Sequence, residues 1–348
     1  MNALLNTRGF YLFTGLFLLA NLFLISRDEY ILCVLPIALL LVYTAFFHFD
    51  KIFYLIIVFT PLSINIEEFV GGDIGLFLPT EPLLFGMLIL IIYNQMRKNQ
   101  FETEFIKHPI TIIFILQLIW IFITCITSEL PLVSFKFLLT KLWFIVPIYF
   151  YGYVFFKKEG RIKWFAWLFI GSMSVVALYT LTNHAIYGFD EETGHWVMWP
   201  FFKDHTSYGA ILALVYPILF GLFYIHRKQP ITRAIIVGLI LMLGFAIIMS
   251  YTRAAWASLV GALVVYLLIR FKIKFRYLAI AGLAAGIYVA ASWTDIMHNL
   301  EKNRSEHATE DMNERLESMT NVTTDASNLE RLNRWGSAIR MWQERPIV

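Results

Sequence analysis

Apolar residues run along this chain in long blocks, and the polar residues between them form short clusters. About 20 predominantly apolar residues cross a bilayer as a helix. Blocks of that kind predict spans near 10–26, 30–47, 52–66, 82–96, 109–128, 137–156, 162–182, 207–225, 234–250, 254–270 and 277–293. The expectation is an all-α, polytopic integral membrane protein with about 11 transmembrane helices. The third block is short and Pro61 interrupts it, so a broken or half-inserted helix is expected there. Such a helix is tolerated only where protein or a polar cavity covers its backbone. The first block follows Arg8 as a signal peptide would, but no small-x-small cleavage site follows it, and a retained helix is expected.

Composition supports the class. The chain is 59% hydrophobic and only 15% charged, where soluble domains hold about 25% charged residues. A net charge of +3 gives no indication of nucleic acid as a partner. Cys33 and Cys125 both lie in apolar blocks and form neither a disulfide framework nor a zinc spacing.

Lysine and arginine orient the spans. One set of loops holds Arg8, then Lys51, then Arg97, Lys98 and Lys107, then Lys157, Lys158, Arg161 and Lys163, then Arg227, Lys228 and Arg233, and finally Arg270, Lys272, Lys274 and Arg276. The alternate loops hold little more than Arg27, Lys136, Lys203 and Arg253. The positive-inside rule places the first set, and the N-terminus, in the cytoplasm. The loops at 67–81, 183–206 and 250–254, and the tail from Thr294, then face outward. The domain reading is a helical membrane domain over 1–293 and an outward helical segment over 294–348.

The outward elements carry the candidate chemistry. The 183–206 loop mixes Trp196 and Trp199 with carboxylates and histidines, a blend suited to sugar faces. A belt of rings at the headgroup level is the simpler reading of those tryptophans. His205 opens the next span and is either a proton acceptor or a helix-end residue. Arg253 stands between two spans without an acidic neighbour in sequence. It is either a snorkelling side chain or an anion site, since an intramembrane cation costs roughly 2.5 kcal/mol or more at a span centre.

The tail changes composition abruptly. A charged stretch over 295–319 reads as a solvated helix. A second helix starts with the capping-box pattern Ser327-Asn328-Leu329-Glu330 and runs through Trp342. Arg331, Arg334 and Trp335 are neighbours on it at helical spacing. The chain shows no P-loop, no Gly-x-Ser-x-Gly, no His-Glu-x-x-His and no long-period repeat. An outward-facing enzyme without a nucleotide motif needs a donor already activated in the membrane.

Three stretches resemble the O-antigen ligase and polymerase family of bacterial glycan-assembly proteins. They are His205-Thr206-Ser207-Tyr208-Gly209-Ala210, then Ser250-Tyr251-Thr252-Arg253-Ala254-Ala255-Trp256, and then Arg331-x-x-x-Trp335 followed by Glu344-Arg345-Pro346. The second is similar to the family's Ser-x-Ser-Arg-Gly stretch. The third is similar to its Arg-x-x-x-Trp element, which leads into a His-Pro-x-x-Gly-x-Gly turn. Arg345 stands where that histidine is often found, and the sequence ends at Val348, before the glycine-rich turn. The expectation is a C-terminally truncated chain, in which the family's catalytic histidine corresponds to no residue.

The resemblance implies transfer of a glycan from undecaprenyl pyrophosphate to an acceptor hydroxyl, without cofactor, metal or nucleotide. Arg253 and Arg331, with Arg334 second, are the expected pyrophosphate ligands. His205 is the candidate base, and Trp196, Trp199 and Trp335 are the candidate glycan contacts. The acceptor is lipid A–core for a ligase and another lipid-linked glycan for a polymerase. A flippase or transporter of lipid-linked glycan is the alternative of another class. The expected location is the bacterial inner (cytoplasmic) membrane, among membrane lipids, with the active face toward the periplasm or exterior.

Overall fold

A computed structural model describes residues 2–67, 75–97, 101–292 and 326–344. It is all-α apart from one two-stranded hairpin among the described residues. Two compact units divide the chain, Met1–Val176 and Ala177–Val348.

In the first unit, α1 (Asn2–Ile25) and α2 (Ile31–Phe47) lead into α3 (Phe49–Leu62). Strands β1 (Ile64–Asn65) and β2 (Phe77–Leu78) pair antiparallel, with Ile64 opposite Leu78. Then come α4 (Thr80–Arg97), a single turn α5 (Thr103–Ile106), α6 (Pro109–Thr127) and α7 (Pro131–Ile145). The last continues through a π-helical turn, Val146–Tyr151, into α8 (Gly152–Phe156). Helix α9 (Arg161–Ile186) spans the division between the units.

The third span is short, as its sequence suggests. Helix α3 has 14 residues, about 21 Å at 1.5 Å per residue, against the roughly 30 Å of a hydrocarbon core. It ends one residue after Pro61 and passes into the hairpin. Protein covers it: Ile52, Phe53, Ile56 and Ile57 are buried against Leu84, Met87 and Ile91 of α4 and Tyr151 and Phe155. Asp50 in its first turn accepts hydrogen bonds from Tyr151 and Arg161. Arg161 also lies over the Phe155 ring, 4.4 Å from its centroid.

The second unit holds a 3₁₀ turn (Thr193–His195), then α10 (His205–Ile225), α11 (Pro230–Met249), α12 (Arg253–Arg270), α13 (Phe275–Ala291) and α14 (Ala326–Glu344). Helix α10 packs against both α11 and α12. Leu212, Val215 and Leu219 of α10, with Ile236 and Leu243 of α11, are fully buried. Proline occupies the first turn of α6, α7 and α11, where its missing N–H leaves no intrahelical bond unmade. This explains why α7 begins at Pro131, ahead of the apolar block at 137.

Each expected span overlaps a helix, although the third, 52–66, runs past Leu62 into β1. Six helical stretches among the described residues are long and apolar enough to cross a membrane: Pro109–Thr127, Pro131–Phe156, Arg161–Ile186, His205–Ile225, Pro230–Met249 and Arg253–Arg270. Their large apolar side chains, such as Ile113, Leu214, Leu241 and Val260, face outward from the protein. Water penalises a surface of that extent and lipid does not. The charged stretch at 295–319 lies outside the described residues. The helix expected from Ser327 is α14.

Candidate functional site

The site grows from the junction of α11 and α12. The last carbonyls of a helix have no partner within it. The Ile247 carbonyl at the end of α11 accepts from the Ser250 hydroxyl (2.7 Å) and from the Trp256 indole (3.0 Å). Ser250 and Trp256 thus close the junction from both sides. Between them the backbone turns at Tyr251, whose φ is +50°. A non-glycine residue in this left-handed region costs about 1–2 kcal/mol.

Two long-range hydrogen bonds fasten the turn. The Tyr251 hydroxyl donates to the Phe189 carbonyl (2.8 Å), 62 residues earlier. The Thr252 hydroxyl reaches the His205 carbonyl (2.8 Å), 47 residues earlier. Thr252 is the N-cap of α12, yet its side chain makes no capping bond. Its hydroxyl is turned to the head of α10 instead.

Glycines let these residues approach. A Cβ on Gly194 would lie 2.7 Å from Tyr251 Cδ2 and 3.3 Å from His184 Cε1. A Cβ on Gly209 would lie 2.7 Å from both Cβ and Oγ1 of Thr252. His184, 1% exposed, donates from Nε2 to the Asp190 carbonyl (2.7 Å), and its ring meets those of Phe189 and Tyr251 edge-on.

Arg253 follows directly as the first residue of α12, half-buried. The structure gives it an interaction, although no acidic residue neighbours it in sequence. Its neighbour Thr252 is bonded to the backbone of His205, so these two candidates share one junction. The half-buried His205 ring stacks on the exposed His195 ring, with centroids 4.2 Å apart and planes 12° apart. His195 drew no attention in the sequence because nothing local links residues ten positions apart in a loop.

Asp204 is the N-cap of α10: its carboxylate accepts from the Ser207 backbone (2.8 Å) and hydroxyl (2.8 Å). Burial works against the charged form, but those bonds and the nearby His205 outweigh it, and the carboxyl is held below its usual range. Because its folded value is depressed, its contribution is full above the ordinary aspartate value of about 3.9 and is lost as pH falls through the lower one. Asp204→Ala is expected to cost about 1 kcal/mol of stability at neutral pH, with Asp204→Asn close to the parent. Chemical denaturation in detergent reads both; an unchanged Asp204→Ala protein would dispense with the cap.

The aromatic candidates are surface residues. Trp196 meets Tyr187 edge-on at 5.2 Å, and the Trp199 carbonyl accepts from the Tyr179 hydroxyl (3.1 Å). Both indoles are about half exposed. Arg331, Arg334 and Trp335 fall on α14, where Arg334 and Trp335 are exposed. The Arg331 side chain lies outside the described features. Among the described residues, no set of three or more His, Cys, Asp or Glu side chains could hold a metal ion.

The helices and their apolar surface define a polytopic membrane protein of all-α class. Within that class, residues 237–348 match the family model described as O-Antigen ligase, which supports membership of the O-antigen ligase family. The matched region contains the Ser250–Trp256 junction and α14. No curated protein and no solved structure matches the chain.

Proposed function

We propose that this protein transfers an oligo- or polysaccharide from undecaprenyl pyrophosphate to the hydroxyl of an acceptor, as an O-antigen ligase, at the outer face of a bacterial inner membrane crossed by about 11 helices. The observation that carries the reading is the Arg253 junction, inside the family-matched region and bonded to the head of the His205 helix.

The chemistry follows from charge. The C1–O bond to the pyrophosphate breaks, the acceptor oxygen bonds to C1, and undecaprenyl pyrophosphate leaves with the electron pair. Arginine forks grip phosphate oxygens in pairs and stay ionised at any physiological pH. Arg253 sits at a helix N-terminus, a position that disfavours a cation by itself and favours an anion beside it. Its guanidinium and the first N–H groups of α12 would act on one ligand. Arg331, with Arg334 second, would reach the same pyrophosphate from α14, replacing the divalent metal that often serves this role. His205 would take the acceptor's proton. Trp196, Trp199 and Trp335 would stack on sugar faces.

The test is reconstitution in vesicles with an undecaprenyl-pyrophosphate-linked oligosaccharide and lipid A–core, without nucleotide and with chelator. A glycosylated core is the expected product. Longer lipid-linked glycan in place of glycosylated core would mark a polymerase, which shares the chemistry and differs in acceptor. The absence of both products would overturn the transfer reading.

Orientation has its own check. Reporters fused after Lys228 and Arg276 are expected to read cytoplasmic, and those after Glu192 and Ser318 external, because lysine and arginine concentrate in one set of loops. A cytoplasmic signal at Ser318 would refute both the span count and an outward site.

A further inference from the structure

We propose that Tyr251 is a positioning residue for Arg253, holding the turn that aims the guanidinium by clasping the 184–195 loop. The inference rests on Arg253 binding the donor pyrophosphate.

Three observations converge on Tyr251. Its backbone is left-handed, at φ +50°, and the residue lies only two positions before Arg253. Strain of this kind persists only where the surroundings over-determine it. The surroundings do so here: its hydroxyl is bonded to the Phe189 carbonyl at 2.8 Å, and its ring fills the space left by the missing side chain of Gly194. The acceptor end is also unusual, since Gly188 and Phe189 both have positive φ, +69° and +59°. Two strained turns, far apart in sequence, are thus joined by one hydroxyl.

His184 forms the seat of this clasp. It is buried, bonded to the Asp190 carbonyl and edge-on to both Phe189 and Tyr251. The loop is therefore closed on itself by a contact that does not involve the Tyr251 hydroxyl. On the other side, Tyr251 and Thr252 set the entry into α12, so a rotation at Tyr251 swings the Arg253 side chain bodily. A misplacement of about 1 Å at a reacting centre can cost on the order of a hundredfold in rate. Sequence inspection of Ser250–Trp256 singled out the arginine alone, although the tyrosine carries the geometry.

The experiment is a double-mutant cycle on glycan transfer in vesicles. Tyr251→Phe keeps the ring and removes only the bond to Phe189. It is expected to lower kcat about tenfold, through a displacement of Arg253 smaller than about 1 Å, with the donor KM within about twofold and the melting temperature lowered only by the small amount that one hydrogen bond contributes. Combined with Arg253→Lys, it is expected to add no further loss, because Tyr251 acts through Arg253. A purely structural tyrosine would give losses that multiply. If Tyr251→Phe inserts poorly, Gly194→Ala replaces it in the cycle, since its one added carbon meets Tyr251 Cδ2 at 2.7 Å. Normal transfer by Tyr251→Phe, or multiplying losses, overturns this inference alone. Normal transfer by Arg253→Lys overturns the pyrophosphate reading as well.

Discussion

Arg253→Lys is expected to lose about a hundredfold in glycan transfer, the scale of removing one fixed donor from a site of developing charge, with little change in expression or insertion. Lysine keeps the positive charge but lacks the planar fork that spans two phosphate oxygens. The two readings of Arg253 separate on this substitution. A snorkelling arginine needs only a long apolar stem and a charged head, and lysine supplies both. An arginine that grips a leaving pyrophosphate needs the fork. The measurement is complementation of a host deficient in the ligase or polymerase, with surface polysaccharide resolved by length. Normal polysaccharide from the lysine variant would leave Arg253 as an interfacial anchor. The half-buried position at the head of α12, and the bond from Thr252 to the His205 backbone, favour the loss.

Gly209→Ala is the second large effect, and it acts through packing. The added carbon would lie 2.7 Å from both Cβ and Oγ1 of Thr252 and 3.0 Å from the Ser250 hydroxyl. Neither Thr252 atom is the end of a flexible chain, so α10 and the junction must part. Overpacking of this kind costs about 1–3 kcal/mol. The same displacement breaks the bond from Thr252 to His205 and moves Arg253 away from the α10 head. A lowered melting temperature is therefore expected together with a loss of transfer larger than the loss of folded protein. Thr252→Gly in the same chain removes the two nearest atoms and is expected to restore stability in part. A Gly209→Ala protein with parental stability and transfer would show that the close approach of α10 to the junction has no bearing on function.

Much of the fold was legible because its rules are local. A block of apolar residues in lipid satisfies its backbone most readily as a helix, and each of the eleven blocks overlaps a helix, the third running on into β1. Six of these helices meet the length and apolarity of a span. Pro61 marked the short third helix, because a proline removes a helix hydrogen bond and weakens the turn before it, and here the chain turns extended at Ser63. The family resemblance was legible for a related reason. The Ser250–Trp256 stretch, read from the sequence, lies inside the 237–348 match, and so do Arg331, Arg334 and Trp335.

The partners of those residues were not legible. Gly194 and Gly209 look like any glycines in a loop and a helix. Only the approach of Tyr251 to one and of Thr252 to the other gives them a role. His184 read only as one of the histidines of the 183–206 loop and is a buried seat for the clasp. His195 became a partner of His205 only when the loop folded back. The sequence by itself determined an all-helical membrane protein, its candidate arginines and the family it resembles, since hydrophobic length and residue chemistry act without reference to distant segments. Only the tertiary structure decided that Tyr251 and Thr252, across 62 and 47 residues, tie the Arg253 turn to the 184–195 loop and to the head of the His205 helix. A hydrogen bond is made by position in space, and no local pattern in the chain encodes which carbonyl a hydroxyl will meet.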